Sequence, residues 1–205
     1  GLGLLFGMHI PQNFDSPYKA LNPSDFWRRW HISLSRCLRD YLYIPLGGSR
    51  HGESATYRNL MLTMLLGGLW HGAAWNFVIW GGYHGLLLAL YRRYARIWDA
   101  QAVWLQRTAM FLLVVVGWVL FRAPTLGTAM SLLNKMFIPQ SGAAVTAAAT
   151  LMIAIIIAAL LAHWGRNTLE LTHQWKPAHA VGLTALFIVC LAIIYGGNAS
   201  PYLYF

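Results

Sequence analysis

The stretch from Asn59 to Tyr91 constrains this chain more than any other. It runs for 33 residues without a Lys, Arg, Asp or Glu. An uncharged run of this length predicts a membrane segment. As one straight helix it would extend about 50 Å, against a hydrocarbon core of about 30 Å. It must therefore tilt steeply, break or re-enter. Gly67-Gly68, Gly72 and Gly81-Gly82 are the weak points at which a helix opens. Irregular backbone at membrane depth persists only where protein or a water-filled cavity covers the freed amides. The same glycines also let helices approach closely. Near the middle sits Trp70-His71-Gly72, with Asn76 and His84 beyond it. An ionisable side chain is costly in such a place, which marks His71 as a functional candidate.

The rest of the chain agrees with a membrane setting. Of its 205 residues 58% are hydrophobic and 10% charged, where a soluble domain carries roughly 25% charged residues. Hydrophobic runs at 103–122, 143–164 and 180–197 predict further transmembrane helices, with an interfacial helix around 127–137. The expected fold is an all-α integral membrane protein, residues 1–205 forming a single membrane domain. Several transmembrane helices and interfacial amphipathic helices would surround a buried path. The net charge of +9 suits basic loops at anionic headgroups. Because the basic residues lie between hydrophobic runs, no nucleic-acid partner is expected. Cys37 and Cys190 suggest neither a disulfide framework nor a zinc site. The opening GLGLLFG is too short to span, so the chain reads as a piece lacking an N-terminal part.

Residues 1–58 read as a loop followed by an amphipathic helix. In NPSDFWRRWHISLSRCLRDYLY at 22–43, Asn22 is a good N-cap, Pro23 suits the first helical position and Asp25 the first turn. One continuous helix would align Trp27, Trp30, His31, Leu34, Leu38 and Tyr41 on an apolar face. Arg29, Ser33, Arg36 and Asp40 would share another. On that face His31 is either a hydrogen-bonded core residue or a histidine aimed into a buried cavity. The loop IPLGGSRHGESATYR at 44–58 is turn-rich; a phosphate site at Gly47-Gly48 beside Arg50 and His51 lacks the usual spacing. His9, His163, His173 and His179 are expected in loop, solvated or interfacial positions. If 59–91 crosses the membrane an even number of times, thirteen of the fifteen Lys and Arg lie on one side. The positive-inside rule prefers that split, which makes the stretch a hairpin or re-entrant element.

His31 and His71 are the candidate pair. A buried neutral imidazole can deprotonate a hydroxyl as it attacks an acyl carbon. No nucleophilic triad is evident, and two histidines lack the third ligand that a zinc site needs. A transporter or channel would use intramembrane His71 and Asn76 as a proton or substrate path, and composition does not separate the two classes.

The residues themselves do. DFWRRWHISLSRCLRDYLYIPLGG at 25–48, GGLWHGAAWNFVIWGGYHG at 67–85, GWVLFRA at 117–123 and the ending SPYLYF at 200–205 closely resemble the membrane-bound O-acyltransferase family. Within it the chain is similar to the bacterial branch that O-acetylates secreted polysaccharides such as alginate. A sister branch that transfers D-alanine to teichoic acids shares the FWxRWHxSLS and GLWHG patterns, but PLGGSRHG and SPYLYF fit the acetylating branch better. The resemblance implies a multi-pass protein of the bacterial inner membrane that is the C-terminal part of a longer fold. It implies His71 as general base or acyl relay and His31 as a second residue of the path. Arg28, Arg29, Arg36 and Arg39 would offer charge to an anionic donor or carrier protein on the cytoplasmic side. Asp25 and Asp40 are expected to support those arginines. It also implies no bound cofactor, a thioester donor such as acetyl-CoA or an acyl carrier, and periplasmic acetyltransferase partners. D-alanyl or other acyl transfer to an envelope polymer, and a non-catalytic transporter or scaffold subunit, are the alternatives.

Overall fold

The computed structural model describes residues 6–8, 11–138, 148–165, 167 and 176–196. His9, His173 and the SPYLYF ending lie outside the described residues. Among those described, every regular element is helical. After a 3-10 turn at Pro17–Lys19 come α1 (Pro23–Arg29), α2 (Ile32–Leu38), a π-helical turn at Arg39–Tyr43, α3 (Gly52–Trp70), α4 (Trp75–Asp99), α5 (Val103–Arg122), α6 (Leu126–Phe137), α7 (Ala148–Trp164) and α8 (Pro177–Gly196). The chain forms two compact units, Gly1–Gly165 and Arg166–Phe205.

The start of α1 follows from its residues. Asn22 is extended and its side chain accepts the Asp25 N–H at 2.8 Å, with Pro23 in the first turn. The continuous helix predicted for 22–43 is not formed. The chain breaks at Trp30, which is extended, and His31, which takes the left-handed conformation at φ 43° and ψ 58°. Hydrogen bonds from the preceding loop hold the break open. The Asp15 N–H donates to the Arg29 carbonyl and the Ile32 N–H to the Asn13 carbonyl, both at 2.9 Å. These tertiary bonds outweigh the local helical preference. As a result Tyr41, expected on the apolar face, is 76% exposed, and the side chains buried from this region are Pro23 and Phe26.

The long uncharged stretch is a hairpin. α3 ends at Trp70 and α4 begins at Trp75. The arms run antiparallel with backbones almost touching. A Cβ on Gly68 would stand 2.2 Å from the Phe77 carbonyl oxygen, and one on Gly81 2.3 Å from that of Met64. At 1.5 Å per residue, the uncharged part of each arm reaches only roughly 18 Å and 25 Å. At the outer end, the buried Asn59 side chain donates at 3.0 Å to the carbonyls of both Leu46 and Gly48. It thereby fixes the 44–51 turn, in which Gly47 and Gly48 have positive φ.

Among the described residues α5 is the one helix long and apolar enough to cross a membrane, while Ile155–Trp164 and Pro177–Ala192 are shorter apolar helices. Gln106 closes the α4–α5 turn by donating to the carbonyls of Asp99 (3.3 Å) and Gln101 (2.8 Å). Asn76, buried at the start of α4, donates to the Ala123 carbonyl just past α5. The core lies where α1, α4 and α5 meet. Phe26 packs with Met110 and Val114, and Trp80 with Leu120, Ala123 and Ala129 of α6. Thr125 caps α6, accepting the Thr128 N–H at 3.1 Å. Lys19 donates to the Gly165 carbonyl, tying the first loop to the residue after α7.

Candidate active site

Both motif histidines stand where helices are interrupted. His71 follows the last residue of α3, and Gly72 after it has φ 155°. A Cβ there would meet the Phe77 ring at 2.8 Å, so the turn at the hairpin tip needs glycine on both counts. The His71 imidazole sits among aromatic edges, with ring centroids 4.9 Å from Trp70, 5.3 Å from Trp80 and 4.9 Å from Phe121. His31 approaches from the α1–α2 break, its ring centroid 6.4 Å from that of Trp70. The fold therefore brings the two histidines to one indole.

A line of rings continues inward. Trp80 contacts His84 at 4.9 Å and Trp27 at 5.8 Å, and Trp27 contacts His84 at 5.2 Å. His84 is 2% exposed and lies flat against Phe26 at 5.9 Å. Its Nε2 would be 2.9 Å from a Cβ on Gly117, so the glycine of the GWVLFRA motif makes room for it. The indole nitrogens of Trp27, Trp80 and Trp118 and the Nδ1 atoms of His31 and His84 are buried without a hydrogen-bond partner among the described residues. Unspent nitrogens are costly to bury and are rare without a reason. Here they belong to one network of ring contacts that includes His71.

Trp27 also borders a cavity of about 550 Å³ between α1, α2 and α3. Arg28, Arg36 and Arg39 line it together with Ser24 and Tyr43, and no acidic side chain does. Three of the four predicted arginines thus share one cavity. The fourth, Arg29, is not among its lining residues. It donates from Nε to Asp25 at 2.8 Å, with Asp15 3.7 Å away. Asp25 and Asp40 are helix-supporting partners of arginines, as expected, since Asp40 accepts from Arg39 at 2.7 Å. That hydrogen bond holds the exposed Asp40 carboxyl below its ordinary range. Among the described residues no three His, Cys, Asp or Glu side chains converge as a metal site requires.

Sequence reasoning singled out His31 and His71 but not the other aromatic rings that surround His71. One signal was present: Asn76, Trp80 and His84 recur at intervals of four and so share one face of α4. The contributions of Trp27 and Phe121 come from other helices and carry no local signal.

Probable alginate O-acetylase AlgI of Pseudomonas putida is 54% identical over 138 residues, covering 67% of this chain and 28% of the relative. A peptidoglycan O-acetyltransferase of Helicobacter pylori is 49% identical over 140 residues, covering 66% of this chain and 27% of the relative. A teichoic acid D-alanyltransferase of Bacillus subtilis is 31% identical over 112 residues, 51% of this chain and 28% of the relative. The chain thus matches little more than a quarter of the length of these curated relatives. The sequence profile of the membrane-bound O-acyltransferase (MBOAT) family matches residues 2–133, a span that holds both histidines, the hairpin and the cationic cavity. The chain belongs to the membrane-bound O-acyltransferase family.

Proposed function

We propose that this chain carries the acyl-transfer site of a membrane O-acetyltransferase that modifies a polysaccharide outside the cytoplasm. The observation that carries the proposal is the unbroken series of ring contacts from the arginine-lined cavity, through Trp27 and Trp80, to His71. The cavity receives an anionic thioester donor, acetyl-CoA or an acylated carrier protein, on the cytoplasmic side. Arg28, Arg36 and Arg39 neutralise its charge. His71 accepts the proton of the attacking hydroxyl as the new C–O bond forms and the C–S bond breaks. The proton then passes to the departing thiolate, so His71 is regenerated. His31, across Trp70, lines the path and assists. Two relatives act, by their names, on different polymers, so the reading is a class of final acceptor, a hydroxyl of a secreted or envelope polysaccharide to which the acetyl group is delivered onward.

The membrane arrangement belongs to the same proposal. The chain contributes one membrane domain to a multi-pass protein of the bacterial inner membrane, with periplasmic acetyltransferases taking the acetyl group onward. α5 spans the bilayer, and the shorter apolar helices α7 and α8 each enter it. The α3–α4 hairpin, with arms too short to cross singly, re-enters and sets His71 at depth. The deciding experiment measures transfer of labelled acetyl groups from donor to polymer in membranes holding the protein or its His71→Ala variant at equal levels. Transfer is lost in the variant. Unchanged transfer would remove His71 from the chemistry and favour a transporter or scaffold role.

A further inference from the structure

We propose that Asn13 is a positioning residue for His31, acting as a helix cap supplied from a neighbouring loop. The proposal rests on the reading of His31 as part of the acyl path. The first amides of α2 have no intrahelical acceptor, and the residue preceding a helix ordinarily satisfies one of them with its own side chain. That residue is His31, and its side chain makes no such bond. Asn13 does the work instead, with both of its acceptors. Its backbone carbonyl accepts the Ile32 N–H at 2.9 Å, and its Oδ1 accepts the Ser33 N–H at 2.9 Å.

The consequence falls on the imidazole. A left-handed conformation is unfavourable for a residue with a Cβ and persists only where its surroundings over-determine it. Here the loop grips both sides of the break. The Asp15 N–H holds the Arg29 carbonyl before His31, and Asn13 holds Ile32 and Ser33 after it. Between these grips the Phe14 ring meets Trp30 at 4.8 Å and His31 at 6.0 Å. Because the α2 amides are already satisfied, the His31 side chain need not fold back on its own helix. Its ring stands edge-on to Trp70, with Nδ1 buried and unpartnered. Removing the Asn13 side-chain acceptor leaves the Ser33 amide to recruit the nearest alternative and lets the break relax. The histidine then leaves the indole it shares with His71.

The test is acetyl transfer by the protein in its native membrane, with kcat and the donor KM measured separately. Asn13→Ala should lower kcat by about 10- to 100-fold, the cost of misplacing an active group by about an ångström, with donor KM unchanged. Asn13→Asp keeps an acceptor of the same reach and should retain kcat within about threefold. Asn13→Gln preserves the amide but carries it one methylene too far, and should behave like Ala; it decides the matter if the Ala variant fails to accumulate. In the Asn13→Ala/His31→Ala double variant, kcat should fall no lower than in His31→Ala alone, because a residue that acts through His31 has nothing left to position. Wild-type kcat in Asn13→Gln, or losses that multiply in the double variant, would overturn the positioning role. Wild-type kcat in His31→Ala would instead remove His31 from the proposed path, a separate failure.

Discussion

Adjacent glycines in the hairpin should respond oppositely to the same substitution. A Cβ on Gly81 would stand 2.3 Å from the Met64 carbonyl oxygen and 3.2 Å from the Leu65 Cα. Both obstacles are backbone, so no rotamer change relieves them. Restoring ordinary contact requires α3 and α4 to separate by about 1 Å, and forced overpacking of this kind costs about 1–3 kcal/mol or more. The better helix propensity of alanine returns about 1 kcal/mol, which leaves Gly81→Ala destabilised by about 2 kcal/mol at the severe end. A Cβ on Gly82 meets only the tip of Leu65 at 3.5 Å, an ordinary contact. Gly82→Ala therefore keeps the propensity gain without the clash. For a chain of this length the midpoint shifts by about 2–4 °C per kcal/mol, so the two variants should differ by about 6–12 °C in thermal unfolding of detergent-purified protein. Gly81→Ala should also lose acetyl transfer, since separating the arms displaces His71 at their tip. Equal midpoints for the two variants, or a less stable Gly82→Ala, would refute backbone contact as the organising feature of the hairpin.

Other substitutions separate packing from chemistry. Gly117→Ala drives a methyl toward His84 Nε2 and should lower acetyl transfer at unchanged protein level more than Ala substitution of the exposed Gly182, beside which a Cβ meets nothing. Asn59→Ala leaves two carbonyls without their buried donor, which should cost about 2–4 kcal/mol and appear as new protease cleavage within 44–51. Arg36→Gln should raise the donor KM by about tenfold, the value of a charge-assisted hydrogen bond, with kcat kept. Arg29→Gln, whose partners are Asp25 and Asp15, should leave KM alone and cost about 1 kcal/mol or less of stability, its side chain being partly solvated.

The periodic helices were legible. The α5 boundaries follow from a single apolar run, and the Asn22–Pro23–Asp25 start of α1 from capping chemistry alone. The excess length of 59–91 correctly demanded a break, tilt or re-entry, because it compares a fixed rise per residue with a fixed bilayer. The break at His31 was not legible. Nothing between 22 and 43 disfavours a helix strongly enough, and the bonds that open it come from Asn13 and Asp15. The site divides in the same way. His31 and His71 stand out as motif residues, but their meeting at Trp70 also depends on the break at His31, which contacts from Asn13 and Asp15 hold open. The pairing of Arg29 with Asp25 follows from their i,i+4 spacing, but the approach of Asp15 from the preceding loop does not.

The hairpin has a consequence for the order in which this chain is made. Gly68 and Gly81 meet across only a few turns of sequence, so the two arms can pair as soon as α4 emerges from synthesis. The cage around His71 cannot close then. Phe121 lies near the end of α5, and Asn76 waits for the Ala123 carbonyl beyond it. A ribosome halted before residue 121 would therefore leave a paired hairpin with an open tip. Pairing of the arms would thus precede the contact of Phe121 with His71, which needs α5 in place.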